Sequence, residues 1–165
     1  MAVESDELLA FMDESGFQTA TFEHAPVFTV EEARHLRGEI SGGHTKNLFL
    51  KDRRGRPFLL VALEHAVIDL KSVHSTIGAN GKVSFGSADL LEELWGVRPG
   101  SVTPFGAIND REGRVTVVLD AEMMSHERLN FHPLINSRTT SISSLDLLRF
   151  LRATGHEPLV AKIST

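Results

Sequence analysis

Apolar residues recur along this chain with two distinct periods. Helical spacing joins Leu8, Leu9, Phe11 and Met12, then Leu90, Leu91, Leu94 and Trp95, and near the end Leu147, Leu148, Phe150 and Leu151. Before these sets stand Ser5, Ser87 and Ser143 or Ser144, whose hydroxyls can accept from first-turn N–H groups; after them come Gly16, Gly96 and Gly155. The spacing therefore predicts three helices, with a fourth from Asp69 to near Gly78. Thr29-Val30-Glu31-Glu32 has capping-box spacing and predicts a short helix ending at Gly38. Strand-like runs cover 17–23, 45–51, 57–63, 83–85, 115–120, 129–132, 139–142 and 158–163, with a helical turn at 121–125. Asp52-Arg53-Arg54-Gly55-Arg56 links two of these runs and predicts an antiparallel hairpin. Because helices and strands interleave without a regular βα repeat, the expected fold is α+β, a mixed sheet with hairpins flanked by helices, and not a Rossmann fold. No repeat, low-complexity stretch or linker interrupts residues 1–165, so one domain is expected.

Composition narrows the class. A hydrophobic content of 41% and a charged content of 24% over 165 residues are ordinary globular values and exclude wholesale disorder. With no cysteine there can be no disulfide, thiolate nucleophile or cysteine-based zinc site. The first residues are acidic and lack the basic-then-apolar order of a signal peptide, and no apolar run approaches the roughly 20 residues that span a bilayer. These features lead us to expect a soluble cytoplasmic protein without a membrane partner. A net charge of −5 argues against coating DNA or other long nucleic acids by phosphate neutralisation, while leaving room for local recognition of an RNA end.

Candidate chemistry is sparse when taken motif by motif. Ser41-Gly42-Gly43-His44-Thr45 leads Lys46 and Asn47 onto the apolar run Leu48-Phe49-Leu50, which places both at a loop-to-strand junction near solvent. There Lys46 either serves a site or simply ends the strand in water. The segment from Val97 to Gly106 holds two prolines and two glycines and has few conformations open to it. Its Gly100-Ser101-Val102 lacks the second glycine of a hydrolase nucleophile elbow, and no Walker loop is present. The eight histidines are scattered, with no His-Glu-x-x-His spacing, and His132, before Pro133 in an apolar setting, reads by default as a core histidine. The basic run from Lys51 to Arg56 reads first as a solvated hairpin tip and secondly as a phosphate contact.

The order of these signals carries more than any one of them. Lys46-Asn47 after a glycine-histidine loop, Gly100-x-x-x-Pro104, and then Asn130-Phe131-His132-Pro133-Leu134 with Asn136 and Thr139-Thr140-Ser141-Ile142 resembles the YbaK-like family of aminoacyl-tRNA editing domains, over about residues 22–163. Within it, the likeness is to the free-standing branch that clears alanine from proline tRNA, with the cysteine-editing branch as competitor. The resemblance implies a cytoplasmic hydrolase that needs no metal or organic cofactor and cleaves the ester at the acceptor end of mischarged tRNA(Pro). It maps the family's lysine onto Lys46, its neighbouring asparagine onto Asn47, its Gly-x-x-x-Pro loop onto Gly100 and Pro104 with Ser101, Val102 and Thr103 between them, and its late histidine onto His132. Lys46, Gly100 and Pro104 then belong to the reacting centre, and Asn47, Ser101, Val102, Thr103 and His132 to substrate binding. Val27, Phe28, Thr29 and Val30, with Leu129 to Phe131, are expected as pocket walls. A prolyl-tRNA synthetase or an elongation factor is the expected helper in presenting the tRNA. The alternatives are a Cys-tRNA(Pro) deacylase, a tRNA-binding module that has lost the chemistry, and a general small-ester hydrolase.

Overall fold

The computed structural model describes residues 2–26 and 40–165. The predicted helix after Thr29 and the wall segment Val27-Phe28-Thr29-Val30 lie outside the described residues. The elements are α1 (Ser5–Glu14), β1 (Thr19–Glu23), β2 (Gly43–Lys51), β3 (Pro57–Leu63), α2 (Val73–Ile77), β4 (Ser84–Phe85), α3 (Ala88–Trp95), β5 (Thr116–Asp120), β6 (Arg128–Phe131), β7 (Arg138–Ser143), α4 (Ser144–Ala153) and β8 (Leu159–Ala161). Short 3-10 turns occupy Pro99–Ser101, Pro104–Asn109 and Met123–Ser125.

Local chemistry accounts for several helix ends. Ser87 and Ser143 cap their helices by accepting from Leu90 N and Asp146 N, each at 3.1 Å. Gly78 and Gly96 end α2 and α3 in the left-handed conformation, at φ +74° and +70°. Ser5 departs from expectation: it is the first residue inside α1, Glu4 holds the cap position, and no side chain caps the turn. The helix expected from Asp69 begins only at Val73; Asp69 instead closes a turn by accepting from Lys71 N and Ser72 Oγ.

The strands form one mixed sheet in the order β1-β7-β6-β2-β3-β5-β8, with β4 also on β2. Pairing is antiparallel for β1–β7, β6–β7, β2–β3 and β2–β4, and parallel for β2–β6, β3–β5 and β5–β8. The β2–β3 hairpin is the predicted one. Its tip exposes Arg53, Arg54 and Arg56, while the buried Asp52 carboxylate fixes the turn by accepting from Arg54 N, Arg56 N and Asn80 N, each at 2.9 Å. Burial alone would raise the Asp52 pKa, but these hydrogen bonds outweigh it and hold the carboxyl below its ordinary value.

Two cores sandwich the sheet. The larger packs α1, α3 and α4 on Leu59, Val61, Leu129, Phe131 and Ile142; the smaller packs Val73, Ile77 and Ile163 on Leu50, Phe58, Leu60 and Val118. Strand residues alternate between the two faces, so in β3 Phe58 and Leu60 belong to the smaller core and Leu59 and Val61 to the larger, while Val61, Ala62 and Leu63 at the end of the strand all join the larger. Among the described residues no helix is long and apolar enough to cross a membrane.

Candidate active site

Strand β2 carries the candidate residues Lys46 and Asn47, and its two neighbours on one edge do not meet. Along that edge it pairs with β6 only at Gly43 and His44, and with β4 only at Leu50 and Lys51. Over Thr45 to Leu48 the edge has no strand partner among the described residues, and the sheet splits there. Lys46 and Asn47 stand at this split. They are interior residues of the strand and not at its start, because the parallel pairing of Gly43 with Leu129 begins the strand earlier than the apolar pattern does.

The period of two sends the adjacent pair to opposite faces. Lys46 lies on the side of Leu48 and Leu50, half-buried, with its ammonium donating to the Ala66 carbonyl. Asn47 lies on the side of Phe49 and the larger core, where its Oδ1 is buried without a hydrogen-bond partner among the described residues. The split thus has a cation on one face and a buried amide oxygen on the other.

The 100–104 segment packs on the larger-core side. Gly100 is exposed in the turn Pro99–Ser101 and lacks a positive φ, so its backbone there does not require glycine. Ser101 is buried, and its N–H donates to Arg98 O at 2.9 Å. Val102 packs against the core. Thr103 is fully buried; its carbonyl accepts the indole N–H of Trp95 and its hydroxyl accepts Phe105 N. Pro104 opens the next turn, and Phe105 stands edge-on to Phe131 at 5.7 Å and to Phe150 at 5.2 Å. The stiff loop is therefore anchored to the residue just before His132. Leu129 and Phe131, expected as pocket walls, are core residues at 0% and 3% exposure, since alternation turns them away from the polar face.

That polar face runs from β2 across β6 and β7. His44 pairs with Asn130, and Asn130 with Ser141, so these three share the side opposite the larger core. Asn130 is buried; its Nδ2 donates to Ser41 O at 3.0 Å, its main-chain carbonyl accepts Thr45 Oγ1 at 2.7 Å, and its Oδ1 has no partner among the described residues. His132 follows two residues later and bonds through Nδ1 to Arg138 O at 3.2 Å. Burial pushes the His132 pKa down, the nearby His24 adds to that, and the Arg138 carbonyl opposes it; the net shift is downward, so the ring is neutral at pH 7. His24 is itself held, with Nδ1 on Ala25 O and Nε2 on Thr139 Oγ1, both at 2.8 Å.

Lys46 and His132 thus share a face of the sheet, whereas Asn47 and the 100–104 loop approach from the other side of the split. No hydrogen bond links Lys46 to His132 or to the loop among the described residues. Sequence reasoning passed over His24 as a neighbour of His132; only the β1–β7 pairing, across 115 residues, brings its ring to Thr139. Another histidine, His156, proves structural: it is buried and bonded to the Asp110 carboxylate at 2.8 Å.

The model of the aminoacyl-tRNA editing domain matches residues 24–150, which contain His24, Lys46, Asn47, the 100–104 loop and His132. The chain belongs to that family. It is 39% identical over 156 residues, covering 93% of this chain and 84% of the relative, to prolyl-tRNA synthetase associated domain-containing protein 1 of Danio rerio. It is 37% identical over 150 residues, covering 90% of this chain and 91% of the relative, to the prolyl-tRNA editing protein ProX of Acetoanaerobium sticklandii. A solved structure described as a candidate trans-editing enzyme for prolyl-tRNA synthetase superposes with a TM-score of 0.74 at 18% identity, over 100% of this chain and 99% of that one, and so shares the editing-domain fold.

Proposed function

We propose that the protein is a trans-acting aminoacyl-tRNA deacylase that removes alanine from mischarged tRNA(Pro). The family match across residues 24–150 carries this reading, since it spans every candidate site residue, and the ProX relative supports proline tRNA as the target.

The chemistry asks little of the protein. An aminoacyl ester is already activated, so a positioned water and stabilisation of the developing oxyanion suffice. Water adds to the carbonyl carbon, the bond to the ribose oxygen breaks, and that oxygen takes up a proton to restore the tRNA hydroxyl. In this reading Lys46 releases the Ala66 carbonyl and supplies positive charge to the oxyanion or to the terminal adenosine phosphate. Asn47 Oδ1, buried and without a partner among the described residues, becomes an acceptor for substrate once the split opens to it. The ribose hydroxyl beside the ester orients the water or relays the proton. Neutral His132 binds substrate. Ser101 N–H is committed to Arg98 O, so the loop contribution falls to Gly100 and the residues after Ser101.

Selection of alanine follows from size. A synthetase site built for proline gains only about 1–3 kcal/mol against a smaller amino acid, so a second pocket that admits alanine and excludes proline corrects the error. The net charge of −5 favours modest affinity for free tRNA and presentation by a synthetase or elongation factor in the cytoplasm. Release of labelled alanine, cysteine and serine from tRNA(Pro) charged with each tests the proposal. Fastest loss of alanine is expected. Fastest loss of cysteine would move the protein to the cysteine-editing branch, and binding without turnover would make it a tRNA-binding module.

A further inference from the structure

We infer that Arg138 is a positioning residue for the site: it holds His132 as the Nδ1–H tautomer, so that Nε2 is the ring's hydrogen-bond acceptor for an N–H or O–H group of the aminoacyl-adenosine. The inference rests on the deacylase reading for its substrate, and on geometry for the rest. A carbonyl oxygen only accepts, so the 3.2 Å contact between His132 Nδ1 and Arg138 O requires the proton on Nδ1. In a neutral ring Nε2 then keeps its lone pair, and it makes no hydrogen bond among the described residues.

Residue 138 is held from several directions. Its guanidinium reaches Asp6 Oδ1 at 2.6 Å and Ser5 Oγ at 3.2 Å on α1, and Glu23 Oε1 at 3.2 Å on β1. Its backbone is paired with Glu23, and the next turn residue, Ser137, accepts His24 N at 3.0 Å. These anchors fix one end of the turn that His132 begins. Inside that turn Leu134 sits at φ +72°, the only non-glycine residue with positive φ among the described residues. A leucine stays in the left-handed region only where its surroundings over-determine it, which fits a turn closed at both ends. The guanidinium thus acts on the imidazole through its own main chain, without touching substrate.

The test combines histidine nitrogen NMR with deacylation kinetics in the full chain. For wild type, His132 should show a protonated Nδ1 and a bare Nε2. Arg138→Met removes the anchors but keeps the carbonyl, and D6N/E23Q weakens them while leaving residue 138 intact; a thermal melt confirms that each is folded. Both should give a mixed or reversed tautomer and lose kcat/KM about tenfold to a hundredfold on Ala-tRNA(Pro), with Arg138→Lys recovering part of the loss. A wild-type ring protonated at Nε2, an unchanged ring in the folded variants, or a changed ring with unchanged kcat/KM would overturn the inference. Because the NMR readout needs no substrate, a wild type that hydrolyses no mischarged tRNA(Pro) would sink the deacylase reading separately.

Discussion

Strand β3 buries Phe58, Leu59, Leu60, Val61, Ala62 and Leu63, whereas β7 buries Thr139, Thr140 and Ser141 beside a single Ile142. Both lie inside the sheet, but water is excluded from them on different terms. The side chains of β3 gain by leaving water on either face, which makes the strand a large stabilising element. The hydroxyls of β7 gain little by burial and would each cost free energy if left without a partner. All three have one: Thr139 with His24, Thr140 with Thr21 at 2.9 Å, and Ser141 with Arg128 at 2.8 Å. A polar interior of this kind contributes modest net stability but fixes side chains in direction, as a site requires. The β3 side of the sheet is thus held mainly by apolar burial, and the β7 side, next to His132, by hydrogen-bonded hydroxyls.

Substitutions can set these halves against each other. Leu60→Ala, in the fully buried middle of β3, should cost about 2–5 kcal/mol in urea unfolding while deacylation by the folded fraction stays near wild type. Gly106→Ala should cost about 1–3 kcal/mol or more, since the new methyl would lie 2.0 Å from Trp95 Cδ1 and must displace the turn behind the 100–104 loop. Its activity should fall as well, because that turn carries the Phe105 contact to Phe131. Thr140→Val, which keeps the shape and removes only the hydroxyl bonded to Thr21, should cost about 0.5–1.5 kcal/mol; a neutral or stabilising result would show that β7 is held by packing alone. The smallest effect is on pH dependence. The folded protein favours neutral His132, so near pH 6.5 the unfolded chain binds that proton more readily. The associated stability is complete above pH 6.5 and is lost as pH falls through the lower folded-state value. The gap in melting temperature between wild type and His132→Asn should accordingly narrow on acidification, and a gap that widens would contradict the assignment.

Much of the scaffold is legible in local signals. The helix starts at Ser87 and Ser143, the stops at Gly78 and Gly96, and the glycine-containing hairpin link each depend on residues within a few positions of one another, so spacing alone locates them. Ser5 misleads because a serine before an apolar period can equally sit inside the first turn, and here Arg138 uses its hydroxyl. The start of β2 is harder still: Gly43 becomes a strand residue through Leu129 on β6, a partner that no local pattern reveals. The neighbourhood of His132 is hidden for the same reason, since Arg138 anchors to α1 and β1 across the whole sheet. Lys46-Asn47 shows the reverse case. Its place on a strand could be read from the apolar run, and a period of two then requires the two side chains to diverge, which a reading that treats them as one motif overlooks.

Single-turnover hydrolysis of Ala-tRNA(Pro) by Lys46→Ala, compared with wild type at matched folded fraction, puts the split in the sheet to its sharpest test. Loss of the amine should lower the rate by about a hundredfold or more while urea unfolding moves by less than about 1 kcal/mol, the Ala66 carbonyl being its one hydrogen-bond partner among the described residues. A variant that releases alanine as fast as wild type would remove Lys46 from the reaction and with it the claim that this face of the sheet is the hydrolytic site.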